Sequence, residues 1–69
     1  MNVQDLINES VSTNSIIHES YTDAKEEQLA VEADDYTSYC NGQEMVYEFW
    51  GTRKDGEEWR VHLDKEICS

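Results

Sequence analysis

The chain has 69 residues, in which 16 acids outweigh 5 bases for a formal net charge of −11. That length makes one domain with a thin core, since such a chain buries only about 60 % of its unfolded surface, and that charge excludes nucleic acid and anionic membrane as partners. At 38 % hydrophobic and 10 % aromatic, the composition supports a compact fold rather than disorder.

The charge is unevenly placed. Up to Thr52 eleven acids face one base, Lys25, whereas Arg53, Lys54, Arg60 and Lys65 nearly balance the five acids that follow. A field so one-sided draws a basic partner and speeds encounter with it. It also serves plain solubility, the role that runs of charge most often have.

The first predicted element is a helix over Val3 to Glu9, with Asn2 as its cap and Asp5 in the first turn, where negative charge suits the helix dipole. Val3, Leu6 and Ile7 form its buried stripe. A single long amphipathic helix reaching Tyr21 fits the same spacing. Ser10-Val11-Ser12-Thr13-Asn14-Ser15 argues for a break instead, because short polar side chains compete for helical backbone bonds.

Ile16 to Tyr21 then reads as a strand with an acidic, hydroxyl-bearing tip at Glu19-Ser20-Tyr21. Thr22 caps a second helix beginning at Asp23, which ends between Val31 and Asp34.

Two turn signals punctuate the second half. Asn41-Gly42 is the favoured pair for a two-residue hairpin with positive φ at both positions, and it sets Tyr36 opposite Tyr47 and Ser38 opposite Met45. Around Lys54-Asp55-Gly56 a three-residue loop pairs Phe49 with Val61 and Tyr47 with Leu63; a one-residue slip would turn the apolar side chains to opposite faces. Met45, Tyr47, Phe49, Trp59, Val61 and Leu63 then form the face that the helices cover, leaving Val46, Glu48, Trp50, Arg60 and His62 to water. The fold class expected is α+β, a small antiparallel β-sheet with two short helices packed on it, as one domain over 1–69.

Catalysis finds little support. Carboxylates are plentiful, but no pair is singled out by separated environments. His18, His62, Cys40 and Cys68 have ligand types that suit zinc but lack the close spacing of a zinc site. Glu32, Asp34 and Asp35 form no calcium loop, and neither a glycine-rich phosphate loop nor a nucleophile elbow is present. No enzyme activity, metal or cofactor is expected. Cys40 and Cys68 could pair, but two cysteines without a secretion signal more often stay reduced, so free thiols are the first expectation. No apolar stretch approaches the ~20 residues of a membrane span, and no basic-then-apolar leader opens the chain, so a cytoplasmic protein is expected.

Binding remains. An acidic surface on a rigid small fold is what a mimic of DNA needs, with carboxylates standing in for phosphates in a basic groove.

At Glu19-Ser20-Tyr21 the sequence resembles the phage uracil-DNA glycosylase inhibitors, whose Glu-Ser-Ile motif ends an exposed strand. Asp5-Leu6-Ile7 is similar to the Asp-Ile-Ile of their first helix, and Ile16-Ile17-His18-Glu19-Ser20-Tyr21 follows without a gap where they have Val-Ile-Gln-Glu-Ser-Ile. Glu26-Glu27 resembles the Glu-Glu of their second helix. The similarity covers the first third of the chain, which is shorter than those inhibitors and lacks the proline of their second helix.

The resemblance implies a stoichiometric inhibitor of host uracil-DNA glycosylase, a monomer forming a 1:1 complex in the host cytoplasm. Glu19 and Ser20 would accept hydrogen bonds in the DNA-binding cleft, with Tyr21 in place of the motif's Ile, and Glu27 would add charge. A hydrophobic pocket between the second helix and the sheet would enclose an apolar side chain that the enzyme pushes into DNA. Leu29, Met45 and Tyr47 are the expected wall, chosen from the predicted faces. Alternatives are an acidic mimic aimed at another DNA-binding defence protein, such as a restriction or CRISPR effector, or a non-inhibitory adaptor module.

Overall fold

The computed structural model describes residues 2–67. Its elements run α1 (Val3–Thr13), β1 (Ile17–Ser20), α2 (Asp23–Glu32), β2 (Asp35–Asn41), β3 (Glu44–Thr52) and β4 (Glu58–Lys65). The strands form one sheet in the order β1-β4-β3-β2, with both helices on one face. The α+β class and the two helices match expectation, but the sheet is mixed: β1 runs parallel to β4, while β2-β3 and β3-β4 are antiparallel. Hairpin turns enforce the antiparallel pairs. β1 and β4 share no turn, so nothing local sets their direction.

Both helices start where their caps lie. Asn2 Oδ1 accepts the Asp5 N–H at 3.0 Å and Thr22 Oγ1 accepts the Lys25 N–H at 3.2 Å, each satisfying a donor that the first turn leaves unpaired. α1 runs to Thr13, four residues past the expected stop at Glu9. It ends because Asn14 enters the left-handed region at φ +52°, and the N–H groups of Asn14 and Ser15 close back on the carbonyls of Val11 and Ser10, both at 3.2 Å.

Ser10, expected to weaken the helix, is buried and joins it to the sheet. Its hydroxyl donates to the Ser15 carbonyl and accepts the Arg60 N–H, both at 2.9 Å.

The second hairpin has the expected register, Phe49 opposite Val61 and Tyr47 opposite Leu63. The first is shifted by two residues: Tyr36 faces Phe49 and Ser38 faces Tyr47, so the loop is Gly42-Gln43 rather than Asn41-Gly42. Gly42 has φ +69° and Asn41 stays out of the positive region, as in a turn with glycine at its first central position. A slip of two preserves both faces, so the pattern of side chains could not reveal it.

The core joins Val3, Leu6 and Ile7 of α1 and Leu29 of α2 to Phe49, Trp59, Val61 and Leu63 of the sheet. Burying one such side chain contributes ~1.5–3 kcal/mol, so this handful carries most of the fold's stabilisation. Tyr47 packs at its margin and Met45 is half-buried.

On the other face, Val46 and His62 are buried rather than exposed to water. They lie on the two central strands, His62 between His18 and Glu48 and Val46 between Tyr39 and Asp64, where cross-strand neighbours on both sides shield them. Cys40 is disulfide-bonded, which corrects the free thiol expected there; Cys68 lies outside the described residues. Among the described residues no helix is long and apolar enough to cross a membrane.

Candidate functional site

Strand β1 forms one edge of the sheet, and period two divides its side chains. Ile17 and Glu19, opposite Val61 and Leu63, belong to the helix-covered face; His18 and Ser20, opposite His62 and Asp64, belong to the open one. Glu19 and Ser20 therefore share an edge but not a face. Pairing continues one step beyond the strand, where the Tyr21 N–H donates to the Asp64 carbonyl at 2.9 Å.

Glu19 is paired. Lys25 Nζ lies 3.4 Å from Glu19 Oε1 and also donates to the Ser20 carbonyl at 3.3 Å, so a single ammonium ties α2 to the motif. The Glu19 side chain remains 32 % exposed, enough to reach a partner.

Tyr21 is fixed on several sides. Its hydroxyl donates to Glu26 Oε2 at 2.8 Å, with Asp23 Oδ1 at 3.1 Å alongside. The hydrogen bond to Glu26, followed by burial and the bond to Asp23, holds the phenol proton well above the ordinary tyrosine range. Tyr21 and Tyr47 rings meet with centroids 4.8 Å apart, and Lys65 Nζ lies 5.0 Å from the Tyr21 ring.

The structure thus brings Glu19, Tyr21 and Tyr47 together on the helix-covered face, with Met45 two residues along β3 from Tyr47 on that face and Ser20 on the other. Glu27 is exposed on α2. Leu29 is 0 % exposed and belongs to the core, so the pocket wall expected from it does not open to a partner.

Sequence reasoning missed Lys25, Glu26 and Asp23 as partners of the motif. The signal available was Lys25 itself, the single base before Arg53, placed six residues after Glu19 across a helix cap.

A second polar group crosses the open face in one row, from His18 through His62 to Glu48. His62 Nε2 lies 2.9 Å from Glu48 Oε1, His18 Nδ1 lies 3.6 Å from Asp64 Oδ2, and the two imidazoles meet edge to face at 5.0 Å. Burial pushes the His62 pKa below its ordinary value, against the opposing pull of Glu48. Among the described residues no three His, Cys, Asp or Glu side chains are placed to hold a metal ion.

The chain matches no known family model, no curated protein and no solved structure.

Proposed function

We propose that this chain is a stoichiometric protein inhibitor of uracil-DNA glycosylase that acts by DNA mimicry. The observation that carries this reading is the place of Glu19-Ser20 on a sheet-edge strand beside the acidic first turns of α2, with Asp23, Glu26 and Glu27. Carboxylates along one edge present the charge that a basic groove meets on a DNA backbone.

Within the enzyme's cleft, Glu19 and Ser20 accept hydrogen bonds and Lys25 is drawn off Glu19 by competing cationic or N–H donors. Apolar contact falls to Tyr21, Tyr47 and Met45, because Leu29 is occupied in the core. The buried Leu29 also favours a second reading, an acidic mimic of another DNA-binding protein, since the pocket that the resemblance implies loses a wall residue.

A uracil-excision assay with a bacterial glycosylase, titrated with this chain, tests the first reading. Loss of activity near one equivalent is expected, with Glu19→Lys restoring it. Full activity at large excess of the unmodified chain would overturn the proposal.

A further inference from the structure

The two edges of the sheet differ in how they are guarded. β1 spans four residues and carries the Glu19-Lys25 ion pair, and short strands with charge are what protect an edge from pairing with another chain. β2 spans seven residues, all exposed, with no charge from Tyr36 to Asn41 and no proline. Among the described residues its one charged guard is at the start, where Asp35 Oδ1 accepts the Tyr36 N–H at 2.8 Å, and Cys40 near the other end is held by its disulfide.

That bond shows the Tyr36 N–H turned away from β3. Ser38, two residues on, shares the orientation and sits at the middle of the strand.

We propose that β2 is a self-pairing edge, on which a second copy of this chain adds its own β2 antiparallel about Ser38. In that register Asp35 meets Asn41, Tyr36 meets the disulfide-bonded Cys40, Thr37 meets Tyr39 and Ser38 meets its counterpart, so no like charges are opposed. Tyr36 and Tyr39, 59 % and 43 % exposed on opposite faces, supply apolar cover to the joined sheet.

A second copy fits this strip better than a basic partner does. The strip from Tyr36 to Asn41 is uncharged within a molecule of net charge −11, so it offers no attraction to a cation and sets no carboxylate of one copy directly against a carboxylate of the other.

The remaining charge still opposes association, which sets the sign of the salt effect. Screening strengthens this contact, whereas it weakens a contact between this chain and a basic protein. β1 stays at the outer ends of the joined sheet, so the inference stands or falls independently of the glycosylase reading.

Sedimentation of the full chain over rising concentration, at low and at near-physiological NaCl, tests it. Concentration-dependent dimer that grows with salt is expected. Ser38→Pro, which removes an outward N–H in each copy, should weaken association by about tenfold or more. Tyr39→Lys, which places a charge on the strand, should do the same, and far-ultraviolet circular dichroism verifies that each variant is folded. A monomer at every concentration and salt, or a dimer unaffected by either folded variant, would overturn the proposal.

Discussion

At Gly51 the backbone of β3 passes so close to Trp59 that a Cβ would lie 2.9 Å from indole Cζ2. The two residues are paired across β3 and β4, and the indole is nearly fully buried, so it has nowhere to withdraw. Gly51→Ala should cost about 1–3 kcal/mol, the usual range for overpacking a filled core. Urea titration followed by tryptophan fluorescence would register this as a lower midpoint with an unchanged slope; an unmoved midpoint would mean that the indole yields freely. His62 gives a prediction of another kind. An unfolded histidine titrates near 6.5, and burial holds the folded one lower despite Glu48, with His18, Asp64 and Arg60 as the other charged neighbours. The unfolded chain therefore takes up the proton first, so this contribution to stability is complete above about pH 6.5 and is lost as pH falls through the folded value. Thermal melts at pH 7.5 and pH 5.5 should show that loss, and His62→Gln should shrink it. Equal loss in the variant would assign the effect to other groups.

At the scale of elements, the clamp between α2 and β1 decides how available the motif is. Lys25→Gln frees Glu19, and because a pair that water still reaches on both partners contributes on the order of 1 kcal/mol, the fold should survive. If Glu19 is the contact with a basic groove, the variant should inhibit uracil excision a few-fold more strongly at low salt, and an unchanged titration would remove Glu19 from the interface. The second hairpin was readable in the sequence because one register alone gathers Phe49, Trp59, Val61 and Leu63 on one side. The first hairpin was not, since Gly42-Gln43 and Asn41-Gly42 loops leave the same residues on the same faces. α1 outran its expected stop because Asn14 ends it through a left-handed conformation that residue type alone does not announce, and because Ser10 looked like a breaker while serving as a link. The motif's place at the end of a strand followed from its strand pattern, whereas that strand's position at the sheet edge depends on the strand order, which the pattern does not contain. Its pairing with Lys25 and the loss of Leu29 to the core followed from tertiary packing, which no local pattern contains.

For the whole molecule, the distribution of charge turns ionic strength into a probe. Sixteen acids occupy a body of principal extents 39 × 21 × 21 Å, and the lysine and arginine ion pairs among the described residues, Lys25 with Glu19 and Arg53 with Asp55, neutralise few of them. At 10 mM salt the screening length is ~30 Å, so charges across the molecule repel one another; at 150 mM it is ~8 Å, and repulsion survives only between near neighbours. Folding gathers these carboxylates and unfolding separates them, so added salt should stabilise the folded chain. In a domain of this size each kcal/mol moves the melting midpoint by roughly 4–8 °C, and a rise of several degrees between those two salt concentrations is expected in dilute solution, where self-pairing contributes nothing. The same addition should weaken capture by a basic groove, because there it screens attraction. Opposite responses in one buffer series would identify unspent negative charge as the common cause. A melting midpoint that fell with salt would show instead that local ion pairs outweigh the net repulsion, and it would remove the electrostatic basis for reading this surface as a substitute for DNA.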